Sequence, residues 1–387
     1  MTLHDSKVKG LEEPRNNFLM KGEYHLENEL YTIVETIKRV GPRNVSLISR
    51  LTGIPVETVR YKIRRQLIKN GIGGHISVNY NKLGLVRNWL VLDFDEKYRE
   101  MATRMLAALS KTGYLIYYGR ILPRGTYVSI IALPPSLRVQ YGELLDRLMD
   151  LGILASYEMD ELAWIRHLSM RPEYYDFETK MWKVDWASLH QSKVIVNKMM
   201  DSEVGEPMVD KTDLLILKEL QIDSMKTISK IAKRLELKPK TVRYHYMEHV
   251  LRRGLITNFI VKWQGSREQM HRSILNAFIE FRDLTERSLL DVQKVFHRLP
   301  FTWFDAVSNN RSLYLAFLSL PVTQFINLLD YLQASVSAHR FEIKLVDTFC
   351  AEAYTIPYEM FNETRGWVFS PEKALKALID LVPLIKG

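Results

Sequence analysis

The chain has a single cysteine, Cys350, which excludes an internal disulfide and any zinc centre built on several thiolates. Runs of about 18 apolar residues are missing too, so no membrane-spanning helix is expected. The opening segment, "MTLHDSKVKGLEEPRNNFLMKGEY", lacks the apolar core of a secretion signal and reads as a polar arm. A cytoplasmic location is expected. Glycine-rich phosphate loops and nucleophilic Cys–His pairs are absent. The adjacent carboxylates Asp160 and Glu161 fall on one strand and face opposite ways. No catalytic residue is therefore expected, and the chain reads as a non-enzyme. Acidic residues are in deficit: 54 Lys and Arg against 45 Asp and Glu give a net charge of +9. That balance favours a polyanionic partner. The 387 residues, 47% hydrophobic and 26% charged, describe an ordinary folded chain. At roughly 150 residues per domain they allow two to four domains.

What is present is written twice. "TVRYKIRRQLIKNG" from Thr58 returns as "TVRYHYMEHVLRRG" from Thr241, and the 183-residue offset also relates Ile33 to Ile216 and Ile37 to Leu220. "TYVSIIALP" (Thr126–Pro134) lies over "LYLAFLSLP" (Leu313–Pro321), and "ETKMW" (Glu178–Trp182) over "ETRGW" (Glu363–Trp367). Three blocks in one order mean a duplicated unit of about 185 residues. Each copy opens with apolar residues at helical spacing, punctuated by Gly41-Pro42, Gly53-Ile54-Pro55 and Leu237-Lys238-Pro239. A longer basic helix follows, then a β-rich stretch ("GGHISVNY", "ITNFIVKW"). That is the outline of a winged helix-turn-helix. The remainder of each copy alternates as βαββαβ, a ferredoxin-like plan.

The expected fold class is thus α+β, a tandem repeat of winged helix-turn-helix followed by a βαββαβ ferredoxin-like domain. The expected boundaries are a polar arm (1–25), a first helix-turn-helix (26–85) and a first ferredoxin-like domain (86–185). A linker (186–208), the second helix-turn-helix (209–265) and second ferredoxin-like domain (266–360) follow, with a helical tail (361–387) docked on the second unit.

On the first basic helix Val59, Ile63 and Leu67 should face the core, leaving Glu57, Thr58, Arg60, Tyr61, Arg64 and Arg65 outward. On the second, Val242, Tyr246 and Val250 turn inward while Lys240, Thr241, Arg243, Tyr244 and His245 look out. Such faces of a recognition helix enter the major groove, where Arg pairs with guanine edges. "HYMEH" (His245–His249) has the spacing of an inverted zinc-protease helix. The other copy carries Lys62 and Gln66 there, and no third ligand is visible nearby, so no metal is expected. Trp182 and Trp367 are expected to close the open side of their sheets. Tyr117, Tyr118 and Tyr127, facing Trp303 and Tyr314, are expected to pack in the core.

The stretches "IPVETVRYKIRRQLIKNGI" (Ile54–Ile72) and "KPKTVRYHYMEHVLRRGLI" (Lys238–Ile256), with "NYNKLGL" (Asn79–Leu85) as the connection between domains, resemble the Lrp/AsnC class of bacterial and archaeal transcription regulators. The resemblance implies a sequence-specific DNA-binding regulator, here a fused pseudo-dimer with two unequal recognition helices reading an asymmetric site. Double-stranded DNA is the expected partner, with no cofactor, no membrane, and a pseudo-dimeric monomer or homodimer as the assembly. The family's Gly-x-x-Asp-Tyr effector turn has no Asp in "PRGTYV" or "NNRSLYL", so an amino-acid effector is not expected and any small-molecule effector stays unidentified. Two rivals remain. Siroheme decarboxylase subunits resemble the same two-domain plan and pair as unequal halves, but their histidine-bearing middle strand is not visible in "YLIYYGRIL" or "FTWFDAVS". The other rival is a protein that coats DNA without sequence preference.

Overall fold

The computed structural model describes residues 29–196, 204–263, 273–336 and 339–381; the expected polar arm (1–25) lies outside them. The first copy opens with α1 (Glu29–Val40), α2 (Val45–Thr52) and α3, which runs over residues 56–69 and contains a π-helical turn, Lys62–Gln66. Ile33, Ile37, Val59, Ile63 and Leu67 are buried together, as their spacing requires. Strand β1 (Ile72–Val78) follows, then β2 (Val86–Phe94), α4 (Ala102–Thr112), β3 (Leu115–Leu122), β4 (Tyr127–Leu133), α5 (Arg138–Asp150) and β5 (Leu154–His167). The second copy repeats this order. Its helices are α6 (Lys211–Ile222), α7 (Ile228–Arg234) and α8 (residues 239–251), whose π turn is His245–Leu251. Then come β6 (Ile256–Trp263), β7 (Ile274–Arg282), α9 (Glu286–Arg298), β8 (Thr302–Ser308), β9 (Leu313–Pro321), α10 (Phe325–Val336), β10 (Phe341–Ala353) and α11 (Pro371–Ile379). Pro239 takes the first turn of α8, where a missing N–H costs nothing.

The expected fold class needs correction. Two separate units, each with its own open four-stranded sheet, do not form. The eight strands of the two βαββαβ segments close into one antiparallel barrel in the order β8-β9-β7-β10-β3-β4-β2-β5, with β5 pairing β8 to complete it. An open sheet leaves two edges of unpaired N–H and C=O groups, and closure removes all four edges at once. A sheet edge carries no mark in the sequence, which is why the repeat looked like two self-contained domains.

The strands that follow the two helical groups are shared as well. Among the described residues β1 pairs only with β6, the equivalent strand of the other copy, in an antiparallel ribbon with Gly73 opposite Lys262 and His75 opposite Ile260. Each helical group then packs beneath the other copy's strand. Val261 of β6 lies in the core of α1–α3, while Ile76 and Val78 of β1 share a core with Leu214, Leu217 and Leu220 of α6. At the end of α1, Gly41 has φ +77°, and a Cβ there would meet the Phe259 ring of β6 at 2.7 Å. Only glycine suits both the left-handed backbone and that approach.

The segments after β5 and β10 also cross over. Trp182 packs edge-on against Phe301 (5.0 Å) and Trp186 against Phe301 and Tyr331, all in the second copy. Trp367 donates its Nε1–H to the Leu83 carbonyl (2.6 Å) and lies against Tyr114 of the first copy. Helix α11 follows it onto α4 and α5, with Phe369 stacked on Tyr141 at 5.5 Å. The tail therefore docks on the first half, not the second. The two tryptophans close the opposite half's sheet, a swap that the repeat alone does not reveal.

Candidate functional site

The barrel interior is filled by aromatic rings: Trp89 on Phe278 at 4.9 Å, Phe278 on Phe317 at 4.7 Å, and Phe304 stacked on Phe317 at 5.3 Å. Between this packing and the β1–β6 ribbon the chain leaves a cavity of about 450 Å³, within the ~300–1,000 Å³ usual for small-molecule sites. Its apolar wall includes Ile116, Ile130, Ile165, Ile260, Trp303 and Phe304. Four basic side chains reach it from four strands: His75 (β1), Arg87 (β2), His167 (the end of β5) and Lys262 (β6). Among the described residues no Asp or Glu lines it.

Lys262 is the most constrained of the four. It is only 6% exposed, lies 4.1 Å from the Trp303 ring centre and donates to the Trp303 carbonyl at 3.2 Å. Among the described residues no carboxylate pairs with it. Burial pushes its pKa down to about 7. His167 is enclosed against Phe304, and burial, reinforced by the charges of Lys262, Arg87 and His75, holds it well below the usual histidine range. It is neutral at pH 7. His75 is lowered chiefly by burial, opposed by the contact of its Nδ1 with the Gln221 carbonyl at 2.8 Å. Arg87 lies over the Tyr80 ring at 4.9 Å, and burial brings its pKa down to about 10. The Tyr117 hydroxyl, on the same wall, is buried without a hydrogen-bond partner, and burial raises its pKa far above the ordinary phenol value. Uncompensated buried cations and an orphaned hydroxyl are costly. Together they describe a container for an anion carried on a large apolar body.

Sequence reasoning missed this constellation because its members lie at 75, 87, 167 and 262, on strands that only the barrel and ribbon bring together. One signal was available: "FIVKW" sets Lys262 within an apolar strand. Tyr117 and Trp303, expected to be plain core residues, line the cavity wall.

The residues expected to contact DNA are mostly where the helical pattern put them. Glu57, Tyr61, Arg64 and Arg65 are exposed on α3, with Thr58 and Arg60 half-buried and Arg60 bonded to Glu57. Lys240, Thr241, Arg243 and Tyr244 are exposed on α8. His245 is the exception. It lies in the π turn, where hydrogen bonds reach i→i+5 and the face of the helix is reset, and its Nδ1 meets the buried Asp213 carboxylate at 2.8 Å. A second hollow, about 900 Å³, runs between α1, α3 and residues 173–183. Its lining mixes Glu29, Glu173 and Glu178 with Lys62, Lys69 and Lys180, so it has no charge preference comparable to that of the barrel cavity.

No helix among the described residues is long and apolar enough to cross a membrane. No family model and no curated protein sequence matches the chain. Solved structures do. The siroheme decarboxylase NirDL matches at a TM-score of 0.53 with 12% identity, over 93% of this chain and 100% of that one. The same enzyme in complex with an iron-uroporphyrin III analogue matches at 0.54 with 12% identity, over 91% and 99%. The expectation of a non-enzyme is corrected by this likeness, since the end-to-end neighbours are structures of an enzyme. The chain shares its fold along nearly its whole length with a siroheme decarboxylase.

Proposed function

We propose that the chain is an enzyme that binds a carboxylated tetrapyrrole in the barrel cavity and removes a side-chain carboxylate as carbon dioxide. The observation that carries this reading is a cavity with four basic side chains, an orphaned tyrosine hydroxyl and, among the described residues, no acid on a largely apolar, aromatic wall. A macrocycle edged with carboxylates presents the complementary pattern. Its ring packs on Trp303, Phe304 and the isoleucines, while Arg87 and Lys262 pair with carboxylates. The full-length likeness to siroheme decarboxylase supports the choice of substrate class.

In such a reaction the bond between the carboxyl carbon and its neighbour breaks and carbon dioxide leaves. The electron pair stays on the neighbouring carbon, delocalised into the ring, and a proton replaces the lost group. His167, neutral at pH 7, is a poor donor. Lys262, whose pKa burial brings down to about 7, can hold and release a proton near neutrality and suits the donor role. The apolar wall keeps water from the carboxylate that leaves.

Titration of the purified chain with an iron uroporphyrin, followed by the Soret band, tests the reading. Saturable binding is expected, with conversion of the bound ligand read as mass loss of carbon dioxide. Lys262 must be protonated to pair with an anion, so affinity should fall as pH rises above about 7, by at most ~tenfold per pH unit from this one group. A cavity that takes no carboxylated porphyrin at any pH sinks the proposal.

A second reading is favoured by the exposed faces of α3 and α8: the same chain docks double-stranded DNA through Arg64, Arg65 and Arg243. Arg64→Ala with Arg65→Ala should then weaken DNA binding and flatten its salt dependence by up to about two counterions. An unchanged electrophoretic shift removes that reading without touching the first.

A further inference from the structure

Asp210, Asp213, His245 and His249 come together where α8 crosses the start of α6. Asp213 is fully buried. One of its oxygens, Oδ1, lies 2.8 Å from His245 Nδ1 and 3.0 Å from His249 Nδ1. The Asp210 Oδ2 lies 3.6 and 3.8 Å from the same two nitrogens. The remaining carboxylate oxygens are held in place by a reciprocal cap: Asp210 accepts from the Asp213 N–H at 2.9 Å, and Asp213 Oδ2 from the Asp210 N–H at 3.2 Å. Two carboxylate oxygens and two imidazole nitrogens therefore face one point, all within 4.8 Å of one another. A tetrahedral site with bonds of ~2.0–2.2 Å has ligand–ligand edges of about 3.3–3.6 Å, and the four separations straddle that range. The sequence showed only the two histidines; the aspartates lie more than thirty residues upstream and are supplied by the fold.

The duplicated half supplies the electrostatic argument. At the place of Asp213 it has Leu30, an apolar core residue, and at the places of His245 and His249 it has Lys62 and Gln66. There the Lys62 ammonium sits 3.0 Å from Glu29 and 3.0 Å from the Gln66 side chain. The first half thus holds a built-in cation. In the second half the lysine is gone and the buried Asp213 has taken the place of Leu30, while Asp210 stands where the first half also has an acid, Glu27. Among the described residues no Lys or Arg pairs with either. A buried carboxylate requires a compensating charge or full hydrogen bonding.

We propose that these four side chains bind a divalent metal ion of the zinc class, which takes the place of the Lys62 ammonium and fastens α8 to α6. With four protein ligands the site is closed, so its role is structural, and it is independent of the barrel cavity. Imidazole and carboxylate together suit zinc, which needs no thiolate here.

The full-length protein, stripped by a chelator and dialysed, should take up one zinc ion per chain by calorimetry and elemental analysis. Its melting temperature should rise on zinc addition and return on chelation. Cobalt(II) should give the intense visible absorption of tetrahedral coordination. Asp213→Asn should abolish uptake. Because that variant may unfold, the decisive one is His245→Lys with His249→Gln, which copies the first half. It should fold, and its melting temperature should ignore zinc. Zinc retained equally by this double variant, octahedral-type cobalt absorption, or a wild-type melting temperature indifferent to zinc would each overturn the site and leave a histidine pair hydrogen-bonded to a buried carboxylate.

Discussion

Lys262→Met is expected to weaken binding of a carboxylated porphyrin by roughly 10- to 150-fold, the worth of a buried hydrogen bond to a charged group at about 1.5–3 kcal/mol, while making the free protein more stable. Loss of binding with a gain in stability separates a functional lysine from a structural one. The physical reason is burial: Lys262 has no acidic partner among the described residues, and its pKa falls from 10.5 to about 7. Each unit of that shift represents ~1.4 kcal/mol, so the folded protein forgoes on the order of 3–5 kcal/mol at neutral pH. Methionine keeps the length and the contact with Trp303 but carries no charge. The sign of the pH dependence follows. The folded-state pKa lies below the unfolded one, so the stability lost to Lys262 is recovered as pH rises from 7 toward 10.5. The stability advantage of Lys262→Met should accordingly shrink between pH 7 and 9 in paired denaturant titrations. A variant that is less stable than wild type, and still binds, would return Lys262 to the scaffold.

Asp305→Ala should cost about 3–5 kcal/mol, the usual result of leaving a buried charge without its partner. Asp305 is fully buried on β8 and faces Arg166 on β5, at the seam that closes the barrel. Arg166 gives it two hydrogen bonds, Nε at 3.0 Å and Nη2 at 2.6 Å, and His297 Nε2 lies 3.2 Å away. Burial works against the carboxylate, but His297 and Arg166 outweigh it and hold the pKa below the ordinary aspartate value. Replacing both partners, Arg166→Met with Asp305→Leu, should recover much of the loss, because the pair's desolvation cost disappears with it. Urea unfolding of wild type and the two variants checks this. A loss below about 1 kcal/mol for Asp305→Ala would mean that water reaches the seam.

The other seam also carries an Arg–Asp pair. Arg120 of β3 faces Asp347 of β10 and bonds to it. The two seam pairs do not occupy equivalent places in the two copies: Arg120 lies opposite Tyr127 where Val307 lies opposite Tyr314, and Asp305 lies opposite Ala316 where Tyr118 lies opposite Ser129.

Local chemistry was legible where neighbours in sequence decide the outcome. The 183-residue offset, the breaker residues, Pro239 at the head of α8 and the inward stripe of Val59, Ile63 and Leu67 all rest on interactions within a few residues, and the chain folds accordingly. The alternating strands of each copy were legible for the same reason. What each strand pairs with at its outer edge was not, because backbone hydrogen bonding at an edge is indifferent to side-chain identity. Tertiary structure therefore decided the barrel, the β1–β6 ribbon and the crossing of Trp182 and Trp367 to opposite halves. With them it decided the site: His75, Arg87, His167 and Lys262 are separated by up to 187 positions and share one cavity only after closure. In sequence His245 resembled an outward-facing base reader. The π turn and a carboxylate at Asp213, on a helix more than thirty residues earlier, turned it inward.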